Sequence, residues 1–482
     1  MDRPNILLLC TDQQRYDALG AAGNPHVHTP NLDRLASQGA RFTNCYAQSP
    51  ICGPSRASLM TGRYPRNHGL WANGVDMDPS EHLFTRALAD AGYDCGLAGK
   101  LHLGSAYAGR IEPRLDDGFR VFRWAHDPYL RSPANAYHTW LRDHHRDLYE
   151  SAVVQRTRSI DGLPQEAHYS HWVAEEAIEF LQHTRVPDAP FCFVANFFDP
   201  HHGFEAPADF RGLYDSGSLP APITVDGELD TKPPIYQQES ARSYAGHAPG
   251  FAEHSAEQIQ EIKAQYYAMV SLVDAEVGRI LDVLEAEGLA EDTLVVFSSD
   301  HGEMLGDHQM LLKGPMLFDC SVRVPLLIRW PGNVPAGTVR EELVEWIDLS
   351  RTLLAAAGDP PFPRAQGRDL ALLWGDGDGA DGGFDDRDWV LSEYRDGCYA
   401  YDPPVHTTMV RHGDWKIVVH HGAPASDRAR TGELYDLASD PQELTNLWDA
   451  PEAKEQRRAM QDFLLDVLVA TEDRSRPRLA PF

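Results

Sequence analysis

The chain has 482 residues, of which 42% are hydrophobic and 24% charged, the balance of a soluble globular protein with room for one large domain or two to three ordinary ones. Acidic residues outnumber basic ones by 72 to 43, giving a net charge of −29. That excess excludes nucleic acid and anionic membrane surfaces as partners, and it makes any local basic pocket conspicuous.

At the start, "MDRPNILLLC" carries an apolar stretch too short for a secretory signal, and no run approaches the roughly 18 apolar residues of a membrane span. The expectation is a cytoplasmic protein. "NILLLC" (5–10) reads as a buried parallel strand ending in "TDQQ". "HTPNLDRLASQG" follows as a helix, with Thr29 as its N-cap, Pro30 in its first turn and Gly39 as its stop. In "SPICGPSRASLMTG" (49–62) a lone cysteine, Cys52, stands at a helix entrance where a side-chain oxygen is the usual cap. "FCFVANFFDPHH" (191–202) and "TLVVFSSDHGE" (293–303) are apolar runs that end in Asp and His, with the grammar of the first strand. The Pro-rich stretch 216–250 has little periodicity and reads as a long loop, a lid or a substrate-contacting insertion.

Between 255 and 287, Ser255 and Gln258 form a capping box, and Ile259, Ile262, Tyr266, Met269, Val273, Val277, Ile280 and Leu284 recur at helical spacing. Strands alternating with such helices predict an α/β fold, a mostly parallel sheet covered by helices on both faces. Beyond about residue 370 the texture changes. "GDGDGADGGFDD" (375–386) reads as a solvated loop, 406–421 as a hairpin turning at "RHGDW", and 451–470 as a closing helix. The expected division is 1–370 for the main domain and 371–482 for a smaller α+β subdomain with an antiparallel sheet and a tail. That tail, "RSRPRLAPF" (474–482), is a candidate contact in a homo-oligomer.

Ligand sites in open α/β sheets lie at the carboxyl ends of strands. Asp12 with Gln13 and Asp300 with His301 fall at such ends, and two carboxylates, an amide oxygen and an imidazole suit Ca2+, Mg2+ or Mn2+. Arg56 lies one helical turn after Cys52 and shares its face. With Lys100 and His102 in "AGKLHLG", His201 in "DPHHGF" and Lys313 in "LLKGP", it points to a pocket for a tetrahedral oxyanion such as sulfate or phosphate. A helix N-terminus at Pro54 adds its dipole. The seven cysteines, at 10, 45, 52, 95, 192, 320 and 398, are odd in number and dispersed, with no CxxC pair, so the others read as core. The pairs His144-His145 and His420-His421 read as surface, and Trp71 and Trp124 as candidate walls of a leaving-group pocket.

"CGPSRASLMTG" resembles the sulfatase signature C-x-P-S-R. "PNILLLCTDQQ", "HTPNLDRLASQG", "GKLHLG", "SSDHGEMLGDH", "RVPLLIRWPG" and "GELYDLASDPQELTNL" (432–447) fall in the order of that family. The resemblance spans nearly the whole chain and implies the sulfatase branch of the alkaline-phosphatase-like superfamily. It further implies that a formylglycine-generating enzyme oxidises Cys52 to Cα-formylglycine. The hydrate of that aldehyde attacks the sulfur of a sulfate ester with one hydroxyl, and the second then collapses to the aldehyde and expels sulfate. By the same resemblance Asp12, Gln13, Asp300 and His301 hold one divalent metal, Arg56 stabilises the hydrate, and Lys100 and Lys313 hold sulfate oxygens. His102 is the base that triggers collapse, His201 with Lys313 protonates the departing alcohol, and Asn73 in "WANG" is a further donor to substrate.

Many sulfatases carry Asp-Asp and Asp-Asn where this chain has Asp12-Gln13 and Asp300-His301, and in that it resembles choline-sulfatase-like enzymes and phosphonate monoester hydrolases. Ca2+ is expected ahead of Mn2+ and Mg2+. The Lys100-x-His102 pair, kept by sulfatases, favours sulfate esters over phosphonate monoesters or phosphodiesters, with cross-reactivity toward the latter. The completeness of the set argues against a catalytically silent binding protein. The alcohol portion of the substrate is left open.

Overall fold

A computed structural model describes residues 3–358, 363–374, 387–422 and 431–473. The Gly/Asp-rich loop 375–386 and the tail 474–482 lie outside the described residues. The strands are β1 (Asn5–Thr11), β2 (Ala40–Tyr46), β3 (Asp94–Gly99), β4 (Val121–Trp124), β5 (Phe191–Asn196), the two-residue β6 (Ala248–Pro249), β7 (Thr293–Ser299), β8 (Arg323–Arg329), β9 (Thr338–Glu345), β10 (Trp389–Arg395), β11 (His406–His412), β12 (Trp415–His421) and β13 (Thr431–Asp436). The helices used below are α1 (Pro30–Ser37), α2 (Cys52–Thr61), α3 (Tyr169–Glu179), α4 (Pro234–Ala241), α5 (Ala256–Ala286), α6 (Asp348–Ala356) and α7 (Lys454–Ala470).

Eight strands form one sheet in the order β4-β3-β5-β1-β7-β8-β2-β9. Its middle, β3, β5, β1 and β7, is parallel, and β8 runs antiparallel to both neighbours. The apolar run of β1 is continuous because both faces are covered, and successive residues point to opposite sides. Ile6, Leu8 and Cys10 enter one core with Leu59 and Met60 of α2 and Leu353 of α6. Leu7 and Leu9 enter the other with Trp172 and Val173 of α3 and Val273, Val277 and Ile280 of α5. Each such large side chain, fully buried, contributes about 1.5–3 kcal/mol relative to exposure. The mixed, mostly parallel sheet between helices is the architecture expected from the sequence.

α5 begins at the capping box predicted for it, with Ser255 Oγ accepting from Gln258 N and Gln258 Oε1 accepting from Ser255 N. α1 differs from expectation at both ends. Thr29 makes no cap bond to its own helix. Instead Asp274, reaching over from α5, accepts the free N–H groups of Asn31 and Leu32 at 3.2 and 2.7 Å. The helix stops at Ser37, and Gly39 is there for close approach, since a Cβ on it would lie 2.2 Å from the Ile328 carbonyl oxygen.

The second sheet, β10-β11-β12-β13, is antiparallel and holds the predicted hairpin, with His412 opposite Trp415. Its Leu391, Val410, Ile417 and Leu434 pack with Met460, Leu464 and Val467 of α7 and with Tyr64 and Ile347 of the main unit. The stretch 216–250 contains α4 and is tied down by buried polar contacts. Glu228 meets His308 at 2.6 Å, and the Tyr236 hydroxyl donates to Glu433 at 2.6 Å. Among the described residues no helix is long and apolar enough to cross a membrane.

Candidate active site

The four adjacent parallel strands end on one edge, and the residues just past each end carry the polar chemistry. Lys100 follows β3, the loop with His201 follows β5, Asp12 and Gln13 follow β1, and Asp300 and His301 follow β7. Sequence separation is thereby converted into adjacency. Gly99 permits the closest of these approaches. Its φ is +99°, and a Cβ there would lie 1.9 Å from the Asn196 carbonyl oxygen.

Helix α2 supplies Cys52 as its first residue, two positions before the expected start at Pro54. Its missing cap oxygen comes from a distance. Asn73 Oδ1 accepts the Gly53 N–H at 2.9 Å, and a Cβ at position 53 would lie 2.8 Å from that oxygen. Asn73 is itself fixed by its backbone N–H, which donates to the Gly397 carbonyl at 2.8 Å.

Around the Cys52 sulfur stand Lys100 Nζ at 3.7 Å, Lys313 Nζ at 3.6 Å and Asn73 Nδ2 at 3.5 Å. Burial pushes the thiol's pKa up, but Lys100, Lys313 and His102 more than reverse it and hold it well below the ordinary value. Cys10, equally buried but packed in the core, is pushed up by that burial.

Asp12 is fully buried. Burial acts to raise its pKa, yet Lys100 foremost, then His201 and Lys313, hold it well below the usual carboxylate range. Its Oδ2 accepts Lys100 Nζ at 2.6 Å and Arg56 Nη2 at 3.4 Å, whereas Oδ1 has no hydrogen-bond partner. Arg56 also donates through Nε to Asp300 Oδ2 at 2.8 Å and through Nη1 to the Lys100 carbonyl at 3.1 Å. The guanidinium therefore orients both carboxylates and the Lys100 backbone.

His301 Nδ1 donates to the Gly302 carbonyl at 2.8 Å, which fixes the ring with Nε2 toward the two carboxylates. Nε2 lies 3.6 Å from Asp12 Oδ1, 3.7 Å from Asp300 Oδ1 and 3.2 Å from Lys313 Nζ. Gln13 is held in the left-handed region at φ 74°. Its N–H donates to Asp300 Oδ1 at 3.1 Å, and its side-chain amide donates to buried Glu303. That bond fixes the amide's orientation and turns Oε1 toward His202 Nδ1, 3.3 Å away.

The donor set fits a divalent cation. Asp12, Cys52 and His301 each offer a ligand atom within 4.8 Å of the others, and an unpartnered carboxylate oxygen in a fully buried site is what a cation would satisfy.

His102 sits at φ 61° and is buried, its Nδ1 unpartnered and its ring edge-on to His126 at 4.4 Å. Burial lowers its pKa, so the ring is neutral beside Cys52. His201 stacks on His202 at 3.9 Å and donates Nδ1–H to the His202 carbonyl. Burial, then His202 and Lys313, lower its pKa well below the ordinary value. Of the candidate walls, Trp71 is 42% exposed, while Trp124 belongs to the core and donates its indole N–H to Glu112 at 2.9 Å. His420 is tied to Glu433 at 3.2 Å.

The nominated ligand, anion-binding and proton-transfer residues thus gather at one sheet edge, whereas Trp124 lies in the core. Sequence reasoning passed over Glu303, His202 and Ser55. Glu303 stands three residues after Asp300 in a quoted block, and Ser55 stands inside the cysteine motif, where its hydroxyl donates to the Asp300 carbonyl.

Residues 4–359 match the sulfatase family model, and residues 306–469 match that of the C-terminal part of N-sulphoglucosamine sulphohydrolase. The chain is 29% identical over 497 residues to an arylsulfatase of Clostridium perfringens, spanning 98% of this chain and 95% of that one. It is 29% identical over 458 residues to a choline-sulfatase of Rhizobium meliloti, spanning 93% and 83%. The crystal structure of a phosphonate monoester hydrolase of Agrobacterium radiobacter superposes with a TM-score of 0.82 at 27% identity, covering 99% of this chain and 98% of that one. With a family match across most of the chain and a basic pocket set on the expected sheet edge, the chain belongs to the sulfatase family, the hydrolases of sulfuric esters.

Proposed function

We propose that the protein cleaves sulfate monoesters with residue 52 as nucleophile, after oxidation of Cys52 to Cα-formylglycine by a formylglycine-generating enzyme. The observation that carries this reading is the placement of the Cys52 sulfur within 3.7 Å of Lys100, Lys313 and Asn73, against an incompletely partnered Asp12. Asp12, Gln13, Asp300 and His301 would hold one divalent cation, Ca2+ ahead of Mn2+ or Mg2+, because three of the four donors are oxygens. When bound, it supplies Lewis-acid stabilisation of developing negative charge. The hydrated aldehyde supplies a hydroxyl nucleophile and a built-in route for expelling sulfate.

The chain's own residues bind the anion and move the protons. Lys100, Lys313 and Asn73 Nδ2 donate to the non-bridging oxygens, where charge grows in the transition state. Arg56 holds the two carboxylates and the Lys100 backbone in register. Neutral His102 accepts the proton released at residue 52. His201, kept neutral by burial, His202 and Lys313, gains a proton when an anion arrives, because negative charge favours the imidazolium. With Lys313 it then delivers that proton to the departing alcohol.

In this reading residues 1–370 form the catalytic unit and 371–482 a smaller unit whose loop at Gly397 steadies Asn73. The six other cysteines, free thiols, suit a reducing compartment, which supports a cytoplasmic location. Likeness to the phosphonate monoester hydrolase supports a second reading on the same residues, hydrolysis of phosphonate monoesters or phosphodiesters. The deciding experiment pairs mass spectrometry of the Cys52 peptide from the native host with turnover of phenyl sulfate and of an aryl phosphonate ester. The modified residue and a higher kcat/KM for sulfate are expected. Full activity with only unmodified thiol would refute the nucleophile, and a preference of orders of magnitude for the phosphonate would favour the second reading.

A further inference from the structure

Tyr244 is 7% exposed, and its hydroxyl is buried without a hydrogen-bond partner. A phenol left so is costly unless something absent from the free protein satisfies it. Its ring lies 5.6 Å from that of His202, which stacks at 3.9 Å on His201 and contacts Gln13 Oε1 at 3.3 Å. Tyr244 shares a hydrophobic cluster with Leu311 and Leu312, the residues leading into Lys313, and Cys398, whose sulfur is 3.8 Å from Asn73 Nδ2, packs against that cluster. Burial first, then Cys398, Glu303 and Cys52, push the ionisation of Tyr244 well above the ordinary phenol value, so it stays protonated and keeps a hydrogen to donate where an acceptor arrives.

The backbone is built to present it. Tyr244 and Ala245 stand at φ 55° and 54°, a left-handed conformation that L residues avoid. The carboxylate of Glu239, fully buried at the end of α4, accepts their N–H groups at 2.9 and 3.1 Å, together with the Tyr401 hydroxyl at 2.8 Å. Bridges from Arg242 to Pro249 and from Ser243 to Ala248 of β6 close the turn. A strained turn held by a buried carboxylate, presenting an unpartnered donor one ring away from His201 and in one cluster with the residue before Lys313, has the composition of an anion contact.

We propose that Tyr244 is a substrate-binding residue, its hydroxyl donating a hydrogen bond to an oxygen of the tetrahedral anion bound at this site, with Glu239 as the positioning residue that holds it there. This rests on reading the pocket as an oxyanion site, though not on the identity of the nucleophile.

The test is titration calorimetry of inorganic sulfate into wild type, Tyr244→Phe and Glu239→Ala, with phenyl sulfate turnover and melting temperature measured alongside. Tyr244→Phe is expected to weaken sulfate about 10- to 100-fold, the range for one hydrogen bond to a charged acceptor, and to lower kcat/KM at least as much. Its melting temperature should hold or rise, since an unpartnered buried hydroxyl is removed, and a merely structural role would give the opposite pair of changes. Glu239→Ala is expected to weaken sulfate by a similar factor in the fraction that folds. Sulfate affinity within twofold of wild type in Tyr244→Phe, or no sulfate binding by wild type, would overturn the proposal. Sulfate binding that falls as expected while neither protein, shown by mass spectrometry to carry formylglycine at residue 52, turns over phenyl sulfate would leave Tyr244 in place and count against the hydrolytic reading for aryl sulfates.

Discussion

Two clusters of buried charge lie in this fold, and they are finished to different degrees. Between the two sheets, Lys416 is fully buried between Asp319 at 2.8 Å and Glu443 at 2.6 Å. Both oxygens of Asp319 accept from the Tyr46 hydroxyl at 2.9 Å, Arg323 adds a second cation at 3.4 Å, and the Asp319 N–H is taken by Glu443 at 2.6 Å. Burial works against the Asp319 carboxylate, but Lys416 and Arg323 hold its pKa far below the usual range. At the sheet edge the same kinds of side chain meet, yet Asp12 Oδ1 is 3.9 Å from Lys313 Nζ, where Glu443 Oε1 lies 2.6 Å from Lys416 Nζ, and a thiol sits among ammonium groups. Buried charge alone does not mark a functional site. What distinguishes one is capacity left over after the protein's own groups have been satisfied.

The sharpest break between the two clusters is at Cys52. Cys52→Ala is expected to lower kcat by at least about 10³-fold, the scale for losing a covalent nucleophile, while the melting temperature stays within a few degrees. A variant retaining more than a few per cent of wild-type kcat would place the chemistry elsewhere.

Asp12→Asn should act next most strongly, removing the charge that a cation would meet. Metal content by plasma mass spectrometry is expected to fall below about a tenth of an ion per chain, with activity down by a similar factor or more. Undiminished metal in this variant would move the ion off Asp12.

Lys416→Met should show the reverse pattern, because it leaves Asp319 and Glu443 buried without their ammonium. The expected cost is about 3–5 kcal/mol in denaturant unfolding, with kcat of the folded fraction within twofold of wild type. A large loss of kcat at unchanged stability would mean that the intersheet cluster is coupled to the chemistry.

The smallest effect concerns Glu112, whose carboxyl burial pushes up to about 8 even with the Trp124 indole N–H donating to it. Since the folded value lies above the ordinary 4.5, its contribution is complete below about pH 4.5 and is lost as pH rises through about 8. Glu112→Gln, which cannot ionise, should therefore gain on wild type in melting temperature between pH 5 and pH 8, by a few degrees at the upper end. A constant difference across that window would show that Glu112 ionises normally.

The two clusters were not equally legible in the sequence. Asp12, Cys52, Lys100, Asp300 and Lys313 each stand in a short block beside a strand or helix end, so local pattern and family likeness reach them together. Asp319, Lys416 and Glu443 carry no such punctuation, and their pairing depends on how the second sheet docks. Asp274 escaped notice for the same reason, because the helix it caps lies far away in the chain. Tyr244 lay in a stretch with no periodicity at all. Its place depends on Glu239 holding two residues left-handed, which propensity would argue against.

Burial of α2 from Cys52 to Thr61 has a consequence in time. With Cys52 1% exposed beneath the finished fold, the oxidising enzyme proposed above would have to grip the segment around it while the chain is still open. The strand that brings Asp300 and the loop that steadies Asn73 are synthesised much later than α2. On that proposal maturation and folding would compete, a molecule that closes first would carry its thiol sealed inside, and the active fraction would follow the relative speeds of those two events during synthesis.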